Sequence, residues 1–199
     1  MVEFSVESVL KELTPIFRGE ASPPEKSYAY FARAIRGGRG NLENSRIIFY
    51  QMQKHSTVIS KHVVLGEVER FEKEWKKRFP RIKVRQRDMR MIRMSSYFVA
   101  DMTVESGGVG TESMEAYRRK IPISLFRHEG VRNEPTNRSC MVEVEDSPKE
   151  LTLEQVLRYR CKVNIPIIYY TDQNIEEVVR NRFRTFFAKQ TTLPTWYNR

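Results

Sequence analysis

The acidic pair in Glu143-Val144-Glu145 is the first feature of the sequence that could carry out chemistry. Alternate side chains of a β-strand point to the same face, so the two carboxylates would lie together and Val142 and Val144 would lie opposite. Two neighbouring carboxylates can bind a hard divalent cation such as Mg²⁺ or Mn²⁺, together with water and substrate phosphates. The sequence therefore predicts either a metal site at Glu143 and Glu145 or an exposed edge strand with two solvated glutamates.

A second candidate is the alternation of basic and apolar residues in the segment that begins at Arg81. If this segment is a strand, Lys83, Arg85 and Arg87 share one face. Guanidinium and ammonium groups bind phosphates, and aromatic rings in nearby strands can stack on unpaired bases. The alternatives are a solvated basic face and aromatic residues that belong to the core.

We predict a nucleic-acid-binding surface that extends this basic strand with other Arg and Lys residues. Its predicted basic members are Arg36, Arg39, Lys76, Lys77, Lys83, Arg85, Arg87, Arg90, Arg93, Arg180 and Arg184. Its aromatic candidates are Tyr28, Tyr30, Phe31, Tyr97, Phe98 and Phe126. Arg36 and Arg39 lie in one Arg-Gly-Gly-Arg-Gly stretch, whose glycines also suit a hairpin turn.

The charge distribution supports a polyanionic partner. The 199 residues include 35 Lys and Arg against 25 Asp and Glu, for a net charge of +10. Residues 31–100 alone hold 17 basic and 6 acidic side chains, a net of +11, whereas residues 101–150 hold 7 and 10, a net of −3. Nucleic acid is the expected partner, and an anionic membrane surface is the weaker alternative.

Several other chemistries lack the residues they need. His55, His62 and His128 are dispersed, and Cys140 and Cys161 lack the spacing of a zinc site or a disulfide framework. The glycine-rich sequence Ser106–Thr111 lacks the Gly-Lys-Ser/Thr ending of a P-loop. The N-terminus does not resemble a secretory signal, and no run of 18 apolar residues occurs. We therefore expect an intracellular protein, cytoplasmic or nuclear, with no membrane span.

The expected secondary structure follows from the spacing of apolar residues. Helices are predicted over residues 5–18, along Val68, Phe71, Trp75 and Phe79, from Thr152 to about Tyr159, and after a cap at Asn174. Strands are predicted at Ser27–Ile35, Ser45–Lys54, the segment after Arg81, Tyr97–Val104, Ile121–Phe126, Cys140–Glu145 and Val163–Tyr170. A turn at Arg36–Asn41 would make the first two strands a hairpin, and a turn at Ser106–Gly110 would close the fourth.

These elements predict an α+β fold in one domain, residues 1–199. The expected architecture is a mostly antiparallel, twisted sheet or a partly closed β-barrel or tunnel, flanked by three to four helices. Along the chain we distinguish an N-terminal helix (5–18), a basic β-rich region (27–105), an acidic strand region (106–150) and a C-terminal helical region (151–190).

The Glu-x-Glu strand and the basic stretch before Asp101-Met102-Thr103 resemble the metal-dependent, tunnel-type RNA 5′-triphosphatases of fungal and viral mRNA-capping systems. The resemblance implies that Glu143 and Glu145 are metal ligands, that Arg90 and Arg93 hold the triphosphate, and that Asp101 supports the ligands. The family has a second Glu-x-Glu in its first strand, and this chain has none at Ser27–Arg33.

Three functions follow from these observations. The leading prediction is an RNA-binding protein that contacts the phosphate backbone without sequence preference. The second is a divalent-metal-dependent RNA 5′-triphosphatase, or a relative that has lost catalysis. The third is a structural or assembly protein that binds a nucleic acid, an acidic partner or copies of itself.

Overall fold

The computed structural model describes residues 4–21, 25–35, 42–104, 106–130, 165 and 167–189. Six α-helices lie in these ranges: α1 (Val6–Arg18), α2 (Leu42–Gln53), α3 (Val68–Arg78), α4 (Val84–Met94), α5 (Gly107–Arg118) and α6 (Ile175–Phe186). The strands are β1 (Tyr28–Arg33), β2 (Thr57–Val58), β3 (Tyr97–Asp101), β4 (Ile123–His128) and β5 (Ile167–Tyr170). Two short 3₁₀ helices occupy Lys61–Val64 and Phe187–Lys189.

The five described strands form one sheet in the order β2-β1-β3-β4-β5, and every neighbouring pair is parallel. The prediction of an α+β class is correct in the coarse sense that helices and strands share one structure. The prediction of an antiparallel sheet or a closed barrel is wrong. Parallel neighbours need crossover connections, and described helices lie between β1 and β2, between β2 and β3 and between β3 and β4.

Helices cover both faces of the sheet, so the alternating side chains of each strand enter two separate cores. Tyr30 and Phe98 point toward the core formed with α1, α3, α4 and α5. Phe31 and Val99 point toward the other core, formed with α2 and α6. Strands buried on both faces are typical of parallel sheets in α/β proteins.

Two predicted strand segments are helices, and this difference changes the topology. Ser45–Lys54 lies almost entirely in α2, where the buried residues Ser45, Ile48, Phe49 and Met52 recur at helical spacing. Most of the segment after Arg81 is α4, in which Arg87, Asp88, Met91 and Ile92 are buried. The aromatic and β-branched residues of α2 and the short basic alternation in α4 suggested strands, but tertiary burial overrides such local preferences.

The remaining elements agree better with the sequence. Helix α1 begins after the Ser5 cap and ends at Gly19, whose φ of 77° is readily adopted by glycine. Helices α3 and α6 and strands β1, β3 and β4 lie within or close to their predicted segments. The predicted turn at Ser106–Gly110 is instead the start of α5.

The order of the strands defines where a ligand can approach. The chain leaves β1 toward α2 on one face and leaves β3 toward α5 on the other, although β1 and β3 are neighbours. In open parallel sheets such a reversal opens a crevice beyond the carboxyl ends of the two strands. No helix in the described ranges has both the length and the apolar character needed to cross a membrane.

Candidate active site

A partly buried carboxyl group lies beside this crevice, on the helix that follows β3. Glu112 is in the second turn of α5, and its Oε1 accepts a hydrogen bond of 3.0 Å from the hydroxyl of Tyr30 on β1. Desolvation by burial, followed by the negative charge of Asp88, raises the pKa of Glu112 to about 8. A carboxyl group that titrates close to neutral pH can donate or accept a proton during catalysis.

The Tyr30 hydroxyl holds Glu112 from the sheet side. The Tyr30 ring stacks on Phe98 of β3 with a centroid distance of 5.8 Å, which fixes the direction of its hydroxyl. Burial and the neighbouring carboxyl of Glu112 raise the pKa of Tyr30 well above its ordinary value. The phenol therefore remains protonated and acts as a hydrogen-bond donor to Glu112.

Asp88 on α4 is the second carboxyl group of the site. It is buried, and its Oδ1 accepts a hydrogen bond of 2.9 Å from Nε of Arg87. Desolvation raises the pKa of Asp88, while the charge of Arg87 opposes this rise. Because Asp88 also raises the pKa of Glu112, the two carboxyl groups titrate as an interacting pair.

The amino end of α5 can bind an anion next to this pair. In the first turn of the helix, the backbone N–H groups of Gly107, Gly108 and Val109 carry the positive end of the helix dipole, whereas the N–H of Gly110 already donates to the carbonyl of Ser106. Ser106 precedes the helix, and its side chain makes no capping hydrogen bond. Phosphate groups commonly bind at such helix ends in parallel α/β folds.

A separate cluster of hydrogen-bonded polar side chains lies at the carboxyl edge of the sheet, on its other face. Asp101 accepts hydrogen bonds from Ser45 at 2.5 Å and from both the backbone N–H and the hydroxyl of Thr103, at 3.0 and 2.6 Å. The hydroxyl groups of Thr103 and Tyr170 are 3.0 Å apart. These contacts join α2, β3 and β5, and they explain Asp101 as a structural carboxylate.

Sequence comparison places the chain in a known family. No family model matches the chain. A protein of the pike Esox lucius named 5-hydroxymethyl-dUMP N-hydrolase is 31% identical over 102 residues, which cover 50% of this chain and 69% of that protein. The chain belongs to the 2′-deoxynucleoside 5′-phosphate N-hydrolase family.

Two further relatives carry the family name 2′-deoxynucleoside 5′-phosphate N-hydrolase 1. The protein from the archaeon Methanosarcina mazei is 29% identical over 136 residues, 66% of this chain and 82% of the relative. The protein from the sea anemone Nematostella vectensis is 33% identical over 99 residues, 49% of this chain and 66% of the relative. Membership in this N-hydrolase family overturns the resemblance to RNA 5′-triphosphatases, which was wrong.

Membership in this family also corrects the functions that we predicted from the resemblance and from the positive charge. The relatives are named for hydrolysis of deoxynucleotides, so the prediction of an RNA-binding protein and the assignment to mRNA capping or to a virus are wrong. The predicted metal ligands Glu143 and Glu145 lie outside the described residues. Within the described ranges, no group of three or more His, Cys, Asp or Glu side chains is arranged to hold a metal ion.

The basic residues predicted to form one surface do not form a strand face in this N-hydrolase fold. Lys76, Lys77, Lys83, Arg85, Arg90, Arg93, Arg180 and Arg184 are exposed on three helices and the turn before α4. Arg90 packs over the ring of Phe17, and Arg93 pairs with Glu115 at 3.0 Å. Arg36 and Arg39 lie outside the described residues.

Arg87 is the clear error among these predicted contacts, because it is fully buried and faces Asp88 instead of solvent. The aromatic candidates are also buried in the two cores, so they cannot stack on bases. A role for the exposed basic residues in binding nucleic acid stays a prediction, as do the suggested partners and the intracellular location.

The candidate site lies on residues that sequence reasoning did not select as catalytic. Tyr30 appeared only as a base-stacking candidate, and Asp88 and Glu112 did not appear. The available signal was the glycine-rich stretch after a buried strand, which ends at Glu112. Such a stretch can open a helix at the carboxyl edge of a parallel sheet even when it lacks the P-loop pattern.

Proposed function

We propose that this chain hydrolyses the N-glycosidic bond of a 2′-deoxynucleoside 5′-monophosphate. The observation that carries the proposal is the partly buried Glu112 carboxyl, which accepts the Tyr30 hydrogen bond and interacts with Asp88. The names of the relatives supply the substrate class. The site offers the two functions that cleavage of a bond between a sugar and a base requires.

The first function is stabilisation of positive charge on the sugar. As the C1′–N bond breaks, C1′ gains oxocarbenium character, and glycoside hydrolases meet this charge with a carboxylate. Glu112 lies on the helix whose amino end would bind the phosphate, so it places the Asp88–Glu112 pair, which keeps one negative charge while it holds one proton, on the sugar side. A water molecule then supplies the hydroxyl group that joins C1′, and its remaining proton passes to the carboxyl pair, where it replaces the proton given to the base.

The second function is delivery of a proton to the departing base, which is a poor leaving group as an anion. Two interacting carboxyl groups lose their protons in separate steps, so the Asp88–Glu112 pair holds one proton over an intermediate pH range. The upper end of that range is set by the pKa of Glu112, about 8. In this range one carboxyl is ionised and one proton is available for the base.

The amino end of α5 is the proposed phosphate site. Glu112 follows Gly107 by five residues, and the helical rise of about 1.5 Å per residue separates them by about 7.5 Å along the axis. A deoxynucleotide whose phosphate binds at the first turn can therefore place its sugar next to Glu112. The same arrangement predicts discrimination against nucleosides that lack the 5′-phosphate.

The test is release of free base from each deoxynucleoside 5′-monophosphate, measured by chromatography for the wild-type protein and Glu112→Gln. We expect base release by the wild-type protein, a loss of at least a hundredfold in Glu112→Gln, and weaker activity on the matching deoxynucleosides. Glu115→Gln is the matched control, because Glu115 lies on the same helix but pairs with Arg93 and Arg119 at the surface. Full activity in Glu112→Gln would contradict the proposal.

A further inference from the structure

Arg87 occupies an unusual position for an arginine, fully buried beneath the carboxyl pair. Its Nε donates to Asp88 at 2.9 Å, and its two terminal nitrogens face the two carboxylate oxygens of Glu72 on α3 at 3.1 and 2.9 Å. The guanidinium carbon lies 5.2 Å from the ring centre of Phe71 and 5.3 Å from that of Trp75. The guanidinium is therefore held in a single orientation by partners on two helices.

His62 completes the shell around Arg87. Its Nε2 is 3.1 Å from Nη2 of Arg87, which can only donate, so Nε2 accepts and the ring is neutral. Burial and the charge of Arg87 lower the pKa of His62 well below its ordinary value. The 3.7 Å contact between His62 and Asp88 is consequently not an ion pair.

We propose that Arg87 is a positioning residue for the Asp88–Glu112 pair, which it serves by holding Asp88 in place and by supplying a fixed positive charge beside Asp88. The inference rests on the proposed function, because the pair matters only if it catalyses a reaction. Arg87 lies beneath Asp88 and is itself buried, so its action on the reaction passes through the pair.

The electrostatic role follows from the groups that surround the pair. Arg87 of α4 contacts Asp88, Glu72 of α3 and the neutral ring of His62. Tyr30 of β1 contacts Glu112 of α5. Burial favours the neutral forms of Asp88 and Glu112, and the negative charge of Asp88 raises the pKa of Glu112 further. The positive charge of Arg87 lowers the pKa of both carboxyl groups and so opposes the effect of burial.

Arg87→Met tests this role, since methionine fills much of the same space without charge or hydrogen bonds. We expect the acid limb of the kcat/KM profile for base release to move to higher pH by about one to three units, the range typical of a neighbouring opposite charge. Arg87→Lys restores a positive charge but not the two parallel N–H donors of a guanidinium group. It should return the acid limb toward its wild-type pH.

Glu72→Gln provides a test with the opposite sign. Glu72 raises the pKa of Asp88, so its neutralisation should move the acid limb to lower pH. Glu72 is 24% exposed, which makes this variant the safer one for folding. If the role of Arg87 is purely structural, Arg87→Met and Glu72→Gln should both lower the melting temperature, and the acid limb of the kcat/KM profile should stay at its wild-type pH in both.

Carboxyl ¹³C chemical shifts measured by NMR titration separate this inference from the proposed function. One outcome is that the wild-type protein releases no base, while the Asp88 and Glu112 titrations move to higher pH in Arg87→Met and to lower pH in Glu72→Gln. The proposed function then fails, and the role of Arg87 in holding the pair stands. If the protein is active and both titrations are unchanged in Glu72→Gln and in whichever Arg87 variant folds, the inference about Arg87 is overturned.

Discussion

The hydrogen bond from Tyr30 to Glu112 leads to a prediction about the alkaline side of the pH profile. Tyr30→Phe removes the donor while keeping the ring that stacks on Phe98. The hydrogen bond favours the ionised form of Glu112 and so lowers its pKa, against the larger effect of burial. The substitution should therefore raise this pKa above its wild-type value of about 8.

The size of the shift follows from the strength of the hydrogen bond. A hydrogen bond to a charged group contributes about 1.5–3 kcal/mol, and one pKa unit corresponds to about 1.4 kcal/mol, so a shift of about one unit is a conservative expectation. With a pKa of about 8, roughly a tenth of the wild-type sites keep the proton at pH 9. With a pKa near 9, about half of the sites keep it.

The assay is the initial rate of base release between pH 5 and 10, with each variant normalised to its own maximum. At pH 9, Tyr30→Phe should retain about five times the fraction of maximal activity that the wild-type protein retains. The substrate titrates identically in every variant, so it cannot produce the difference. Tyr169→Phe, at an exposed tyrosine on β5, is the control and should follow the wild-type curve.

Two results would refute this reasoning. An alkaline limb that stays in place in Tyr30→Phe would show that the hydrogen bond does not control the ionisation of Glu112. Wild-type activity that increases through pH 8 instead of decreasing would show that the proton on Glu112 is not used, and that its carboxylate alone is required.

Two further predictions concern other parts of the structure. Gly108→Asp places a negative charge in the first turn of α5, where an added Cβ meets only the Ser106 hydroxyl at 3.4 Å. KM for the deoxynucleotide should rise at least tenfold, because the new carboxylate repels the phosphate. The melting temperature should stay the same or rise, because an acidic residue stabilises the amino end of a helix. An unchanged KM would move the phosphate site elsewhere. Ser45→Ala removes a buried donor to Asp101 and should lower the free energy of unfolding in urea by about 1–3 kcal/mol with little change in kcat. A large loss of kcat would instead connect Asp101 to the reaction.

Local patterns were sufficient for the elements whose signals do not depend on the rest of the chain. The apolar spacing of α1, with Ser5 before it and Gly19 after it, identifies an amphipathic helix from sequence alone. The buried run in β3 likewise indicates a strand. The apolar faces of α3 and α6 were predicted for the same reason.

Local patterns failed for α2 and α4, whose sequences do not show a clear helical alternation of apolar and polar residues. Helix α2 contains aromatic and β-branched residues that favour strands, and its helical spacing becomes evident only when Ile48, Phe49 and Met52 are seen to share one core. The basic alternation at the start of α4 covers too few residues to distinguish period two from a helix with an exposed surface. Because of these two errors, we predicted an antiparallel sheet, although the structure has a parallel sheet with crossover connections.

The sequence by itself determined the charge of the protein, its amphipathic helices and its buried strands, because these depend on composition and on neighbours within a few positions. The tertiary structure decided the site. Tyr30, Asp88 and Glu112 lie on three different elements, and their chemistry arises when packing removes water from the two carboxyl groups and brings Tyr30 and Arg87 against them. Desolvation and long-range pairing shift a pKa only after the chain has folded, so no local pattern could identify these residues as a unit.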